Sequence, residues 1–120
     1  MEYMFLIMEA EGALDRLTEE QRRSLFEAHY VLSAKMDEAG VKRDGRPLQP
    51  PGTATTVRST DGTDRLVSDG PYAETKEHLG GYYLLDVPDL DEALHWAKQL
   101  PLPPGLSVEV RPVLPTGGAA

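Results

Sequence analysis

The amino-acid sequence predicts an α+β fold with an antiparallel sheet, and three observations carry that prediction. Short apolar segments at 3–8 (YMFLIM), 82–87 (YYLLDV) and 106–114 read as strands, bounded by Gly and Pro. Two stretches with apolar residues at helical spacing lie between them, each opened by a capping signal. Residues 53–60 and 64–68 flank Asp61-Gly62-Thr63, a hairpin signal. The resulting order is β-α-β-β-β-α-β, a ferredoxin-like pattern with an elaborated hairpin in its middle.

Each element has a local cause. The first strand is dominated by apolar and aromatic residues and is broken by Gly12. Thr18-Glu19-Glu20-Gln21 is a capping box, in which the Thr hydroxyl accepts from the third helical amide while Gln21 reaches back. The helix it opens is expected to run to about Ala39, with Gly40 as the left-handed residue that ends it. Its apolar stripe is Leu25, Ala28, Leu32, Met36 and Ala39. Residues 41–48 then run extended to Pro50-Pro51. The hairpin strands are Thr-rich with few large apolar residues, which places them toward the sheet edge. Asp89 and Glu92 open a second helix that ends before Pro101, and 106–114 closes the fold. Residues 1–114 form a single domain, and 115–120 (PTGGAA) a flexible tail.

Two helices cover only one face of such a sheet, yet the strands are apolar on both. Tyr3, Phe5 and Ile7 point one way while Met4, Leu6 and Met8 point the other. Tyr83, Leu85 and Val87 likewise oppose Tyr82 and Leu84. Strands that read as continuous apolar runs are buried on both sides. The expected cover for the second face is another copy of the same sheet, giving a homodimer with sheets face to face.

Composition narrows the function classes. Among 120 residues there are 20 acidic and 12 basic side chains, a formal net charge of −8. That balance argues against direct nucleic-acid binding, which needs a basic footprint, and against an anionic membrane surface. There is no cysteine, which excludes disulfides, thiolate metal sites and a cysteine nucleophile. A cytoplasmic location fits. The apolar run at the N-terminus is short and follows Glu2, unlike a secretory signal.

The densest stretch of unusual residues is 69–89, DGPYAETKEHLGGYYLLDVPD. Asp69-Gly70-Pro71-Tyr72-Ala73-Glu74-Thr75-Lys76-Glu77, followed by Gly80-Gly81-Tyr82-Tyr83, resembles the signature of the DGPF branch of the YCII-related family, with Tyr72 where Phe is usual. The resemblance extends through the opening strand, the stretch from Gly40 to Pro51, the VPDLDEALHWAKQLP helix and the terminal VEVRPVL, about residues 1–114. It implies the dimeric α+β barrel fold. It implies no established activity: the broader superfamily holds isomerases, dehydrochlorinases, monooxygenases and haem proteins, and many DGPF-type proteins resemble gene neighbours of extracytoplasmic-function sigma factors.

His29 is the foremost candidate for chemistry. Leu25, His29, Leu32 and Met36 place it on the apolar stripe of the first helix, facing the sheet. A buried imidazole there has a displaced pKa and could act as a general base or acid, or it is a core histidine bonded to a backbone carbonyl or Tyr hydroxyl. The resemblance implies a catalytic His at this distance from Gly40, paired with an Asp near the end of the second helix. Here that region reads Lys98-Gln99-Leu100-Pro101, so Asp37, Asp69 and Glu74 stand as alternative carboxylates. Asp69-Gly70-Pro71 is first a turn, and its functional reading aims Asp69 or Tyr72 into a cavity. Lys76 is either a solvated cation or a substrate anchor. Tyr82 and Tyr83 are core or interface aromatics, one of whose hydroxyls reaches a ligand; Tyr82 is the ligand-binding candidate. Gly80-Gly81 is expected to allow a tight turn or close approach at the start of its strand.

Three dispersed histidines make a weak metal signal, and no phosphate loop or Gly-x-Ser-x-Gly appears, so no cofactor or metal is expected. Two functions follow. The first is a small-molecule-binding homodimer in which His29, oriented by Asp69 or Glu74, carries out isomerisation, elimination or lactone chemistry on a hydroxy or keto compound. The second is a non-enzymatic ligand- or partner-binding accessory of a sigma-factor system.

Overall fold

The structure, a computed structural model, describes residues 1–71 and 76–116. Its elements are β1 (Glu2–Ala10), α1 (Glu19–Glu38), β2 (Lys42–Pro47), β3 (Thr55–Arg58), β4 (Leu66–Asp69), β5 (Glu77–Asp86), α2 (Leu90–Ala97) and β6 (Leu106–Pro112), with a short 3₁₀ turn at Pro51–Thr53. The fold is α+β and ferredoxin-like, as the sequence predicts. The order is β-α-β-β-β-β-α-β, one strand more in the middle than expected. Four strands form an antiparallel sheet in the order β2-β5-β1-β6, so β5 separates β1 from β2 and α1 crosses over it.

α1 starts and stops for the reasons read from its ends. Thr18 Oγ1 accepts from the Gln21 amide at 3.1 Å, and Gln21 Oε1 accepts from the Thr18 amide at 2.8 Å. At the other end Gly40 has φ 73°, which lets the Val41 amide turn back to the Met36 carbonyl at 3.1 Å. The expected result of Thr18→Ala is a loss of about 1 kcal/mol in a urea unfolding series, with an unchanged m-value.

The core forms where the alternation of β1 meets the stripe of α1. Tyr3, Phe5 and Ile7 are buried beneath Leu32 and Met36, and Leu85, Val87, Ala93, Ala97 and Leu100 complete the cluster. Ala39, assigned to the stripe from its spacing, is exposed, because it is already the C-cap of α1. Trp96 packs against this core from α2, while His95 is exposed. On the opposite face Met4, Leu6, Met8, Tyr82 and Leu84 are half-buried. Charged residues flank them: Asp44 and Arg46 of β2 lie beside Leu84 and Tyr82, and Glu109 and Arg111 of β6 beside Leu6 and Met4.

Two parts differ from the sequence reading. The hairpin of β3 and β4 does not extend the main sheet; it is a separate two-stranded sheet. Its strands carry too little apolar surface to be drawn onto the core, and Val57, Leu66 and Val67 stay exposed. Polar bonds extend its own ladder: the Gly70 amide donates to the Ala54 carbonyl at 2.7 Å and the Thr56 hydroxyl to the Gly70 carbonyl at 2.8 Å. The other difference is β5, which begins at Glu77 and runs through the diglycine. Ile7 pairs with Gly81 and Met8 with Leu79, so Gly80 is the extra residue of a β-bulge.

Candidate functional site

A cavity of about 450 Å³ lies between α1 and the end of the sheet where the bulge sits, within the size range of small-molecule sites. Its floor is Ile7 and Glu9 of β1, Gly80, Gly81 and Tyr83 of β5, and Gly45 of β2. Its roof is one flank of α1, with Leu25, Phe26, His29, Tyr30 and Ser33, and Leu14, Leu48 and Leu106 close its ends. Side chains missing from the floor keep it open. A Cβ at Gly45 would stand 2.6 Å from Cδ1 of Tyr83, and one at Gly81 3.0 Å from the Arg46 carbonyl oxygen. Glycine at 45 therefore lets the Tyr83 ring reach across toward the helix.

His29 hangs from the middle of α1, half-buried. Its Nδ1 is 2.9 Å from the Tyr83 hydroxyl, and the two rings stack with centroids 5.9 Å apart and planes at 24°. Burial pushes the imidazole pKa down and the Tyr83 phenol up, because each charged form would lose its hydration. Both groups are therefore neutral near neutral pH. With Nδ1–H donating to the Tyr83 oxygen, Nε2 has a free lone pair and can take a proton; with the tyrosine donating, Nε2–H can give one. Among the described residues Nε2 has no hydrogen-bond partner, which leaves it for a ligand.

The other sequence-derived candidates fall in different places. Asp69 ends β4, exposed and outside the cavity wall; Lys76 is also exposed, and its carbonyl accepts from the Glu11 amide at 2.7 Å. Asp37 pairs with Lys42 at 3.1 Å, two turns of α1 beyond His29. Tyr82 contributes to the cavity wall, but its hydroxyl donates to Asp44 Oδ2 at 2.8 Å. That bond holds the Asp44 carboxyl below its usual pKa and lifts the Tyr82 phenol. Tyr72 and Glu74 lie outside the described residues. Among those described, the partner of His29 is a tyrosine hydroxyl rather than a carboxylate.

Sequence reasoning missed one group. Glu9 continues the inward-facing series Tyr3, Phe5, Ile7 by one more step of two, so the pleat aims its carboxyl at the helix-covered side. The signal was in the alternation itself, but the strand was expected to end at position 8. No cluster of three or more His, Asp or Glu side chains suited to a metal ion occurs among the described residues.

The fold and this cavity define a small ferredoxin-like α+β protein with a pocket beneath its first helix. The chain matches the YCII-related domain over residues 1–116 and belongs to that family. It is also 36% identical over 115 residues to the uncharacterized protein R00369 of Rhizobium meliloti (strain 1021), covering 94% of this chain and 92% of that protein. No helix among the described residues is long and apolar enough to cross a membrane.

Proposed function

We propose that this chain is a DGPF-type, cytoplasmic small-molecule-binding homodimer in which His29 carries out proton transfer on a hydroxy or keto compound. The observation that carries the reading is His29 on the wall of a largely apolar cavity, its Nδ1 held by Tyr83 at 2.9 Å. A fixed ring with one nitrogen left over is the arrangement a general base or acid requires. Tyr83 takes the orienting role that a carboxylate fills elsewhere, without fixing the imidazole as a cation. Isomerisation, elimination and lactone opening each need a proton moved beside a carbonyl or leaving group, and suit such a site.

The dimer is supported by the second face of the sheet. A half-buried apolar centre of Met4, Leu6, Met8 and Leu84, rimmed by charged side chains, has the layout of an interface core and its rim.

A metabolite screen by thermal shift, run on the wild-type protein and on His29→Ala, tests the ligand site. The expected outcome is a compound that raises the wild-type melting temperature by several degrees and leaves His29→Ala unshifted. A compound that shifts both equally binds elsewhere, and no shift across a broad screen contradicts the reading.

One observation favours a second reading, a partner-binding module. Val57 and Val67, cross-strand partners on one face of the small hairpin, are 59% and 68% exposed, an apolar pair of the kind found at interaction surfaces. In that reading the hairpin contacts a protein, for instance in a sigma-factor system. Loss of partner capture on Val67→Asp, with the His29 cavity intact, would identify it.

A further inference from the structure

Glu9 is a carboxylate where the pattern of its strand calls for an apolar side chain. The residues before it on the same face, Tyr3, Phe5 and Ile7, are all buried. Its position is built rather than accidental. The bulge inserts Gly80 across from the Ile7–Met8 step, beneath the Glu9 side chain, and a Cβ on Gly80 would collide with the Glu9 carboxyl. The sheet therefore omits a side chain at the one place that houses this group. Among the described residues the carboxyl accepts no hydrogen bond and forms no ion pair. Its cross-strand partner on β5 is His78, whose charge opposes the effect of burial on the carboxyl.

We propose that Glu9 is the second proton-exchanging group of the cavity, on the sheet wall while His29 is on the helix wall, and that the pair acts on uncharged, apolar ketones. This assignment builds on the proposed role of His29. Burial raises the Glu9 pKa, the influence of His78 opposing it, and lowers that of His29. The two shifts favour a protonated acid and a neutral base in one site. The charge of the ligand follows from the walls. The one cationic side chain bordering the cavity among the described residues, Arg46, donates to the Gly45 carbonyl at 2.7 Å and lies 3.4 Å from the Asp44 carboxylate. An anionic ligand would find no free cation there.

The step balances. His29 Nε2 takes a proton from the carbon beside the carbonyl, and the C–H electron pair forms the new C=C bond. The carbonyl π pair moves to oxygen, which takes the Glu9 proton. The products are an enol, an imidazolium and a carboxylate, and the reverse step restores all three partners. In D₂O the imidazolium exchanges its proton with solvent, so the ketone returns carrying deuterium.

The test follows α-proton exchange of 2-tetralone in D₂O by proton NMR, with 2-naphthoate as an anionic probe and saturation transfer reporting binding. Wild-type protein is expected to speed exchange above the buffer rate and to bind 2-tetralone in preference to 2-naphthoate. Glu9→Gln, nearly isosteric, is expected to slow exchange about a hundredfold while still binding 2-tetralone. Gly80→Ala, which keeps the acid but displaces it, is expected to show a similar loss. Wild-type exchange rates in either variant overturn the role of Glu9 and leave that of His29 standing if His29→Ala is inactive. Binding of 2-tetralone without exchange by wild-type protein overturns the proton-exchanging pair. No binding of 2-tetralone by wild-type protein overturns both the pair and its ligand class.

Discussion

Phe5→Ala is expected to lower stability by about 3–5 kcal/mol, enough to leave a domain of ordinary stability largely unfolded at moderate temperature. Phe5 is 0% exposed and sits in the central strand pair, opposite Tyr83 on β5 and Val110 on β6. Leu32 and Met36 belong to the same buried cluster. Truncation would leave a void that rigid β-ladders on both sides cannot collapse to fill. The void would also remove packing beneath Tyr83, the residue that orients His29. Urea unfolding followed by far-UV circular dichroism measures the loss. A change below about 1 kcal/mol would mean that the core lies elsewhere.

The neighbouring residue is expected to behave in the opposite way. Leu6→Glu should leave the monomer folded and weaken the proposed dimer by at least about a hundredfold, equivalent to roughly 2.7 kcal/mol. Leu6 lies on the other face of β1, opposite Tyr82 and Glu109. In the proposed assembly it meets its counterpart near the centre of the dry region, where an unpaired carboxylate has no compensating charge. In a monomer the same side chain reaches water at little cost. Sedimentation velocity on both proteins separates the cases. A wild-type monomer at micromolar concentration, or a Leu6→Glu dimer of unchanged affinity, contradicts the face-to-face arrangement.

The difference between positions 5 and 6 was legible in the sequence because a strand has a period of two and both faces were apolar. α1 was equally legible, since Thr18, Gln21 and Gly40 act within a few residues of where they stand. β5 was begun too late, at Tyr82, because its glycines were read as a tight turn or close approach at the start of the strand. Ladder bonds from β1 on one side and β2 on the other outweigh the weak local preference of Gly80 and Gly81, and such bonds come from distant segments. The hairpin was assigned to the sheet edge for a related reason. Asp61-Gly62-Thr63 specifies that two strands pair with each other, and nothing local specifies what they pack against.

The site divides along the same line. His29 was found from the stripe of one helix, a local pattern. Its partner Tyr83 is 54 residues away, and adjacent tyrosines look alike until the register sends one hydroxyl to His29 and the other to Asp44. Glu9 lay one step past the expected end of β1. Its exposure to the cavity depends on a bulge in another strand, which a single sequence does not mark. Asp69, read as the first residue of a turn, is the last residue of β4 and is exposed outside the cavity wall, and the cavity draws its carboxyl from β1 instead.

The central claim is that His29 meets a ligand in the cavity beneath α1. Long-range proton–nitrogen NMR of the three imidazoles, with His29 assigned by its loss in His29→Ala, tests this directly during titration with a compound from the thermal-shift screen. The account predicts a neutral His29 ring at neutral pH whose Nε2 signal moves on binding, while the exposed His95 stays fixed. A His29 signal that is unmoved at saturation, or a ring that is fully charged at neutral pH, would contradict it.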